Sequence, residues 1–140
     1  MMKISTKGRY GLTIMIELAR KHGDGPISLK SIAEDNDLSA HYLEQLAAPL
    51  RNAGLIKSIR GAYGGYILGK EPPSIKAGDI IRVLEGPIVL VEGIEEEEPA
   101  KQALWVRVTE AVKEVLDTTT LEDLINYDQN QLHDEYMFYI

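Results

Sequence analysis

The sequence predicts a mainly α-helical protein with one small β-hairpin, and three observations carry that prediction. Apolar residues recur at helical spacing in three segments before Gly54. An alternating segment with a glycine-rich turn follows at residues 55–68. A long helical pattern then fills residues 100–117, with an apolar arc too wide to rest on one small domain.

The first helix is expected over residues 6–22, where Leu12, Met15, Ile16 and Ala19 share a face, and the breakers Gly23, Gly25 and Pro26 stop it. Ser28 stands at the N-cap of a short second helix through Ile32 and Ala33, which dies in Asp35, Asn36 and Asp37. Ser39 is the next N-cap, and Leu43, Leu46, Ala47 and Leu50 form the buried stripe of a third helix that Gly54 ends. Pro49 removes one backbone donor there and is expected to bend the last turns. Two short helices joined by a turn of about four residues outline a helix-turn-helix. Leu55 to Arg60 then alternates as a strand, Gly61 to Gly65 is a tight turn, and Tyr66 to Leu68 returns. This order predicts a winged helix-turn-helix over residues 1–71.

Pro72 and Pro73 mark a boundary, since neither a central strand nor a helix interior accommodates them. Residues 72–99 carry a short helix near 77–84, an irregular apolar stretch at 88–94, and the acidic run Glu95 to Glu98, read as a solvated loop. The segment 100–140 opens with the long helix. Leu104, Val108, Ala111 and Val115 form one stripe, with Trp105, Val112 and Leu116 beside it, so the helix is either a central core element or a dimerisation helix. The second fits better, because the preceding elements suffice to close a core. Thr120 and Asp123 have capping-box spacing before a final short helix, and the chain finishes in Tyr136, Met137, Phe138, Tyr139 and Ile140.

Charge separates the two halves of this 140-residue chain. Residues 1–70 carry 10 Lys and Arg against 6 Asp and Glu, whereas residues 71–140 carry 5 against 16, so a net −7 protein has a basic N-terminal half. Attraction to phosphate is local beyond a Debye length of about 8 Å, so that half can present a face to a polyanion. With Leu43, Leu46 and Leu50 inward, the opposite stripe of the third helix shows His41, Glu44, Gln45, Ala48 and Arg51. Gln pairs with adenine, Arg with guanine, and Glu accepts from cytosine, while Ser28 and Ser39 sit at helix N-termini suited to phosphate. Tyr42 is either a phosphate contact or partial core. The hairpin adds Lys57, Arg60, Tyr63 and Tyr66 for a flanking minor groove or its phosphates.

Enzymatic chemistry finds little support. His22, His41 and His133 are scattered without metal-ligand spacing, no serine lies in a nucleophile-elbow sequence, and there is no Cys. No metal or cofactor is therefore expected. No apolar run approaches a membrane span, and the N-terminus leads into an amphipathic helix, so a cytoplasmic protein without membrane contact is expected.

Four segments carry a resemblance: Ser5 to Leu12 (Ser-Thr-Lys-Gly-Arg-Tyr-Gly-Leu), Tyr42 to Leu46 (Tyr-Leu-Glu-Gln-Leu), Leu50 to Leu55 (Leu-Arg-Asn-Ala-Gly-Leu), and Arg60 to Leu68 (Arg-Gly-Ala-Tyr-Gly-Gly-Tyr-Ile-Leu). Together they resemble the bacterial winged-helix regulators of the IscR type, and with the C-terminal residues they are similar to that family's cysteine-metabolism repressors. The resemblance implies a homodimer on a palindromic operator in double-stranded DNA, with the 100–117 helix crossing the partner. It places DNA-reading roles on Ser39, Tyr42, Glu44, Gln45 and Arg60. The loop near 88–99, where iron–sulfur members carry three cysteines, has none here and is expected to be a vestige. It further implies cysteine synthase as a partner, with Phe138, Tyr139 and Ile140 either inserting into that enzyme or folding back on the dimer. The competing expectations are a winged-helix module that binds only protein, and a direct small-molecule sensor built around residues 88–94.

Overall fold

The computed structural model describes residues 3–127. Helix α1 (Thr6–Arg20) starts where the Ser5 hydroxyl accepts the Lys7 N–H at 3.2 Å. It closes two residues earlier than the sequence pattern suggests, because Lys21 to Ser28 must turn the chain through Gly23 and Gly25, both at positive φ. Helix α2 (Leu29–Asn36) is capped by Ser28 and ends at Asp37 in the left-handed region, φ 54°. Helix α3 (Ala40–Asn52) follows, capped by Ser39, and runs through Pro49 to Asn52.

Strands β1 (Ile56–Ile59) and β2 (Gly65–Leu68) pair antiparallel, Ile56 opposite Leu68 and Ile59 opposite Gly65. A third segment joins them: Ile27, just before α2, exchanges two backbone bonds with Tyr66 at 2.8 and 3.0 Å. The hairpin is thereby tied to the helix-turn-helix and does not hang free.

Beyond the tandem prolines, which form a 3₁₀ turn (Pro72–Ser74), α4 (Ala77–Glu85) packs on α1 and α3. Contact with α1 is close because Gly11 has no side chain; a β-carbon there would collide with Leu84. A 3₁₀ turn (Ile94–Glu96) leads into α5 (Pro99–Thr118). Residues 121–127 are helical again, opened by the box expected at Thr120: its N–H donates to Asp123 Oδ2, and the Asp123 N–H donates to Thr120 Oγ1, both at 3.0 Å.

One apolar cluster unites these elements. It holds Ile14, Met15 and Leu18 of α1, Leu29 and Ile32 of α2, and Leu43, Leu46 and Leu50 of α3. Ile56 and Leu68 of the hairpin join it, as do Ile75, Ile80 and Leu121 from the acidic half. Helix α5 stands apart, with no buried residue. Its C-terminal end is held by a two-pronged Arg82–Asp117 pair (2.6 and 2.8 Å) and by Thr119 O accepting the Ala77 N–H (2.8 Å). At its other end the Gln102 amide donates to the carbonyls of Glu95 and Glu97.

Candidate nucleic-acid interface

The interface is positioned by what lies beneath it. Leu43, Leu46, Ala47 and Leu50 are at most 4% exposed, which fixes the rotation of α3 and turns His41, Glu44, Gln45 and Arg51 to solvent. The Gln45 amide lies 3.4 Å from the His41 ring, so the two share one turn of that edge. Ser28 and Ser39 are exposed at their helix starts, and each hydroxyl already accepts a backbone N–H, from Ser31 and Tyr42 respectively. Both keep a hydroxyl hydrogen for an outside acceptor.

Tyr42 sits partly in the core. Its ring is half-buried edge-on against Tyr10, with centroids 5.8 Å apart, and its hydroxyl lies 3.1 Å from Thr6 Oγ1 at the start of α1. Sequence patterning singles out neither Thr6 nor Tyr10, because nothing local links them to a residue more than thirty positions away.

In the wing, Lys57 and Arg60 are exposed and Tyr63 stands at 93% exposure. Among the described residues, Arg51, Lys57 and Arg60 have no acidic partner at ion-pair distance, so their charges are available to phosphates. Strand β1 departs from the expected alternation: only Ile56 is buried, while Lys57, Ser58 and Ile59 all face out, since the hairpin extends past the core after its first residue. Tyr66, grouped with the wing cations on sequence, is instead half-buried against the core and backbone-paired to Ile27. The hairpin's sharp return depends on Gly65, whose φ of 155° and close approach to Ile27 exclude a side chain.

The second candidate surface is α5. Leu104, Val108 and Val115 are 47%, 40% and 63% exposed, and Ala111 is exposed as well. Trp105 and Val112 are half-buried. Val108, Ala111, Val112, Val115 and Leu116 line a shallow apolar groove. Val106, which lies off the expected stripe, is also half exposed. Phe138, Tyr139 and Ile140 lie outside the described residues.

A core-rooted recognition helix beside a cationic wing defines a winged-helix DNA-binding regulator. The profile of the Rrf2 family, described as iron-dependent transcriptional regulators, matches residues 4–127, and the chain belongs to that family. It is 73% identical over 139 residues to the HTH-type transcriptional regulator CymR of Bacillus subtilis (strain 168), covering 99% of this chain and 100% of that one. It is 35% identical over 131 residues to the HTH-type transcriptional regulator IscR of Yersinia enterocolitica, covering 89% and 80%. The solved structure of CymR, the global cysteine regulator of B. subtilis, matches with a TM-score of 0.87 at 76% identity, over 91% of this chain and 98% of that one. The chain is thus similar over most of its length to named transcriptional regulators.

The iron in the family description finds no fitting donor set. The chain has no cysteine, and among the described residues no three His, Asp or Glu side chains converge on a metal-sized space. No helix among the described residues is long and apolar enough to cross a membrane.

Proposed function

We propose that the protein is a homodimeric repressor of cysteine and sulfur metabolism genes that binds a palindromic operator. In this reading two copies of α3 enter successive major grooves about 34–36 Å apart. Gln45, Glu44 and Arg51 meet base edges, with His41 beside them. Ser28, Ser39 and Tyr42 meet phosphates, and Lys57, Arg60 and Tyr63 of the wing reach the flanking groove. The observation that carries the proposal is the outward polar edge of α3, held on a fully apolar root. The similarity to a global cysteine regulator supports the choice of genes.

The two copies join along α5 through Leu104, Trp105, Val108, Ala111, Val112 and Val115; the support is an apolar face left open along a twenty-residue helix. Cysteine synthase is the proposed protein partner, engaged by Phe138, Tyr139 and Ile140.

A gel shift of the purified protein on its own upstream DNA, with excess competitor DNA, tests the central claim. Specific retention is expected, and Arg60→Ala should flatten the salt dependence by about 0.9 in log–log slope for each phosphate that the variant no longer neutralises. Retention no stronger than on competitor DNA would overturn it. Deleting residues 138–140 should abolish synthase co-purification while leaving operator binding intact; unchanged co-purification would exclude the tail.

A further inference from the structure

We propose that Glu85, at the end of α4, is a positioning residue for DNA recognition: it fixes the start of α1, and through it the recognition helix, relative to the dimerisation helix. This rests on the dimeric repressor reading above. Glu85 Oε1 accepts three hydrogen bonds from the beginning of α1, from the Ser5 N–H (3.0 Å), the Ser5 hydroxyl (2.5 Å) and the Gly8 N–H (2.9 Å). A carboxylate there satisfies donors that the first helical turn leaves open and complements the helix dipole. It reaches them because residue 8 is glycine; a β-carbon on Gly8 would come within 2.9 Å of Oε1.

The turn so held is the one that supports Tyr42. Thr6, between the two bonded residues, contacts the Tyr42 hydroxyl, and Tyr10, one turn on, packs edge-to-face with its ring. Three residues before Glu85 on the same helix, Arg82 grips Asp117 at the far end of α5. Helix α4 therefore holds α5 with one side chain and α1 with another. Beside the direct packing of α4 on α3, one chain of contacts from α5 to α3 runs through Asp117, Arg82, the α4 backbone to Glu85, the Ser5-to-Gly8 turn, Thr6 and Tyr42. In a dimer joined along α5, this chain contributes to the separation and tilt of the two recognition helices.

The test compares wild type, Glu85→Ala and Glu85→Gln on the palindromic operator and on a version lengthened by one base pair between half-sites. Removing a charge-assisted, multiply bonded acceptor should weaken operator binding about tenfold. The discriminating readout is spacing: the wild-type preference for the native spacing should shrink in Glu85→Ala, and Glu85→Gln, which keeps a carbonyl acceptor, should restore most of it. Weaker binding with the spacing preference intact would overturn the proposal, because general destabilisation alone gives that result. So would unchanged affinity. Hydrogen exchange on the free proteins decides independently of DNA. Amides in the first turns of α1 and α3 should exchange faster together in Glu85→Ala, and an unaffected α3 would overturn the proposal. Failure of the wild type to bind its operator would count against the repressor reading, with the exchange result still deciding the role of Glu85.

Discussion

Along α3 the apolar stripe is at most 4% exposed and the polar edge faces outward, whereas along α5 four large apolar residues stand 40–63% exposed and nothing is buried. Both helices are amphipathic, yet only α3 completes its burial within one chain. Burial is roughly proportional to apolar area removed from water, so α3 contributes stability to the monomer while the face of α5 contributes little until something covers it. In the proposed dimer the two helices therefore answer to different equilibria, folding for α3 and association for α5.

Mutations separate these equilibria. Leu43→Ala, at a fully buried position, should cost about 2–5 kcal/mol of folding stability in chemical denaturation. A loss within about 0.5 kcal/mol would mean that α3 is not rooted as described. Val115→Asp places a carboxylate on the exposed face of α5; it should leave helical circular dichroism intact and weaken self-association on the order of a hundredfold in sedimentation equilibrium. Unfolding of the variant would make α5 a core element and erase the contrast. Gln45→Ala touches neither equilibrium. It should reduce discrimination at a single base position by about 1–3 kcal/mol, measured across operator variants, with total stability unchanged.

The smallest effect comes from acid. Partial burial pushes the Glu85 carboxyl up, but the bonds from the Ser5 hydroxyl and the Gly8 and Ser5 N–H groups, with the nearby Lys7 charge, bring it below the usual glutamate range. The Arg82 guanidinium, bonded to Asp117 and adding its charge, holds that carboxyl low too. Groups that ionise more readily in the folded chain stabilise it above their unfolded pKa, and this stabilisation fades as pH falls through the lower folded values. Melting temperature should therefore drop progressively below about pH 4. Glu85→Gln and Asp117→Asn should each make that drop shallower, measured by thermal melts across the acid range. An unchanged slope in both would remove these carboxylates from the acid response.

The contrast between helices also shows what a sequence discloses. All four residues of the expected α3 stripe are buried, and the Thr120–Asp123 box forms as spaced, because both depend on neighbours three or four residues apart. In α1 the expected face is Leu12, Met15, Ile16 and Ala19, but Ile14 and Leu18 are buried while Leu12 and Ile16 are only partly so. The reason is that α1 is packed by several elements and its tightest edge is made of Gly8 and Gly11, which no hydrophobicity count weighs. The polar edge of α3 is legible as the complement of its apolar stripe. The supports of Tyr42 are not, since Thr6 is 36 residues away and Glu85 meets α1 across about eighty. Tyr66 lies on the returning strand as expected, but its half-burial is not legible for a related reason: its partner on the other side, Ile27, comes from a segment with no strand pattern.

Leu121 is fully buried in the cluster that holds Leu43, although twenty residues of α5 separate it from the preceding loop. The core of the half that is synthesised first therefore draws one of its fully buried side chains from near the other end of the described chain. A polypeptide released short of residue 121 would leave that cluster without Leu121 and should melt below the full chain.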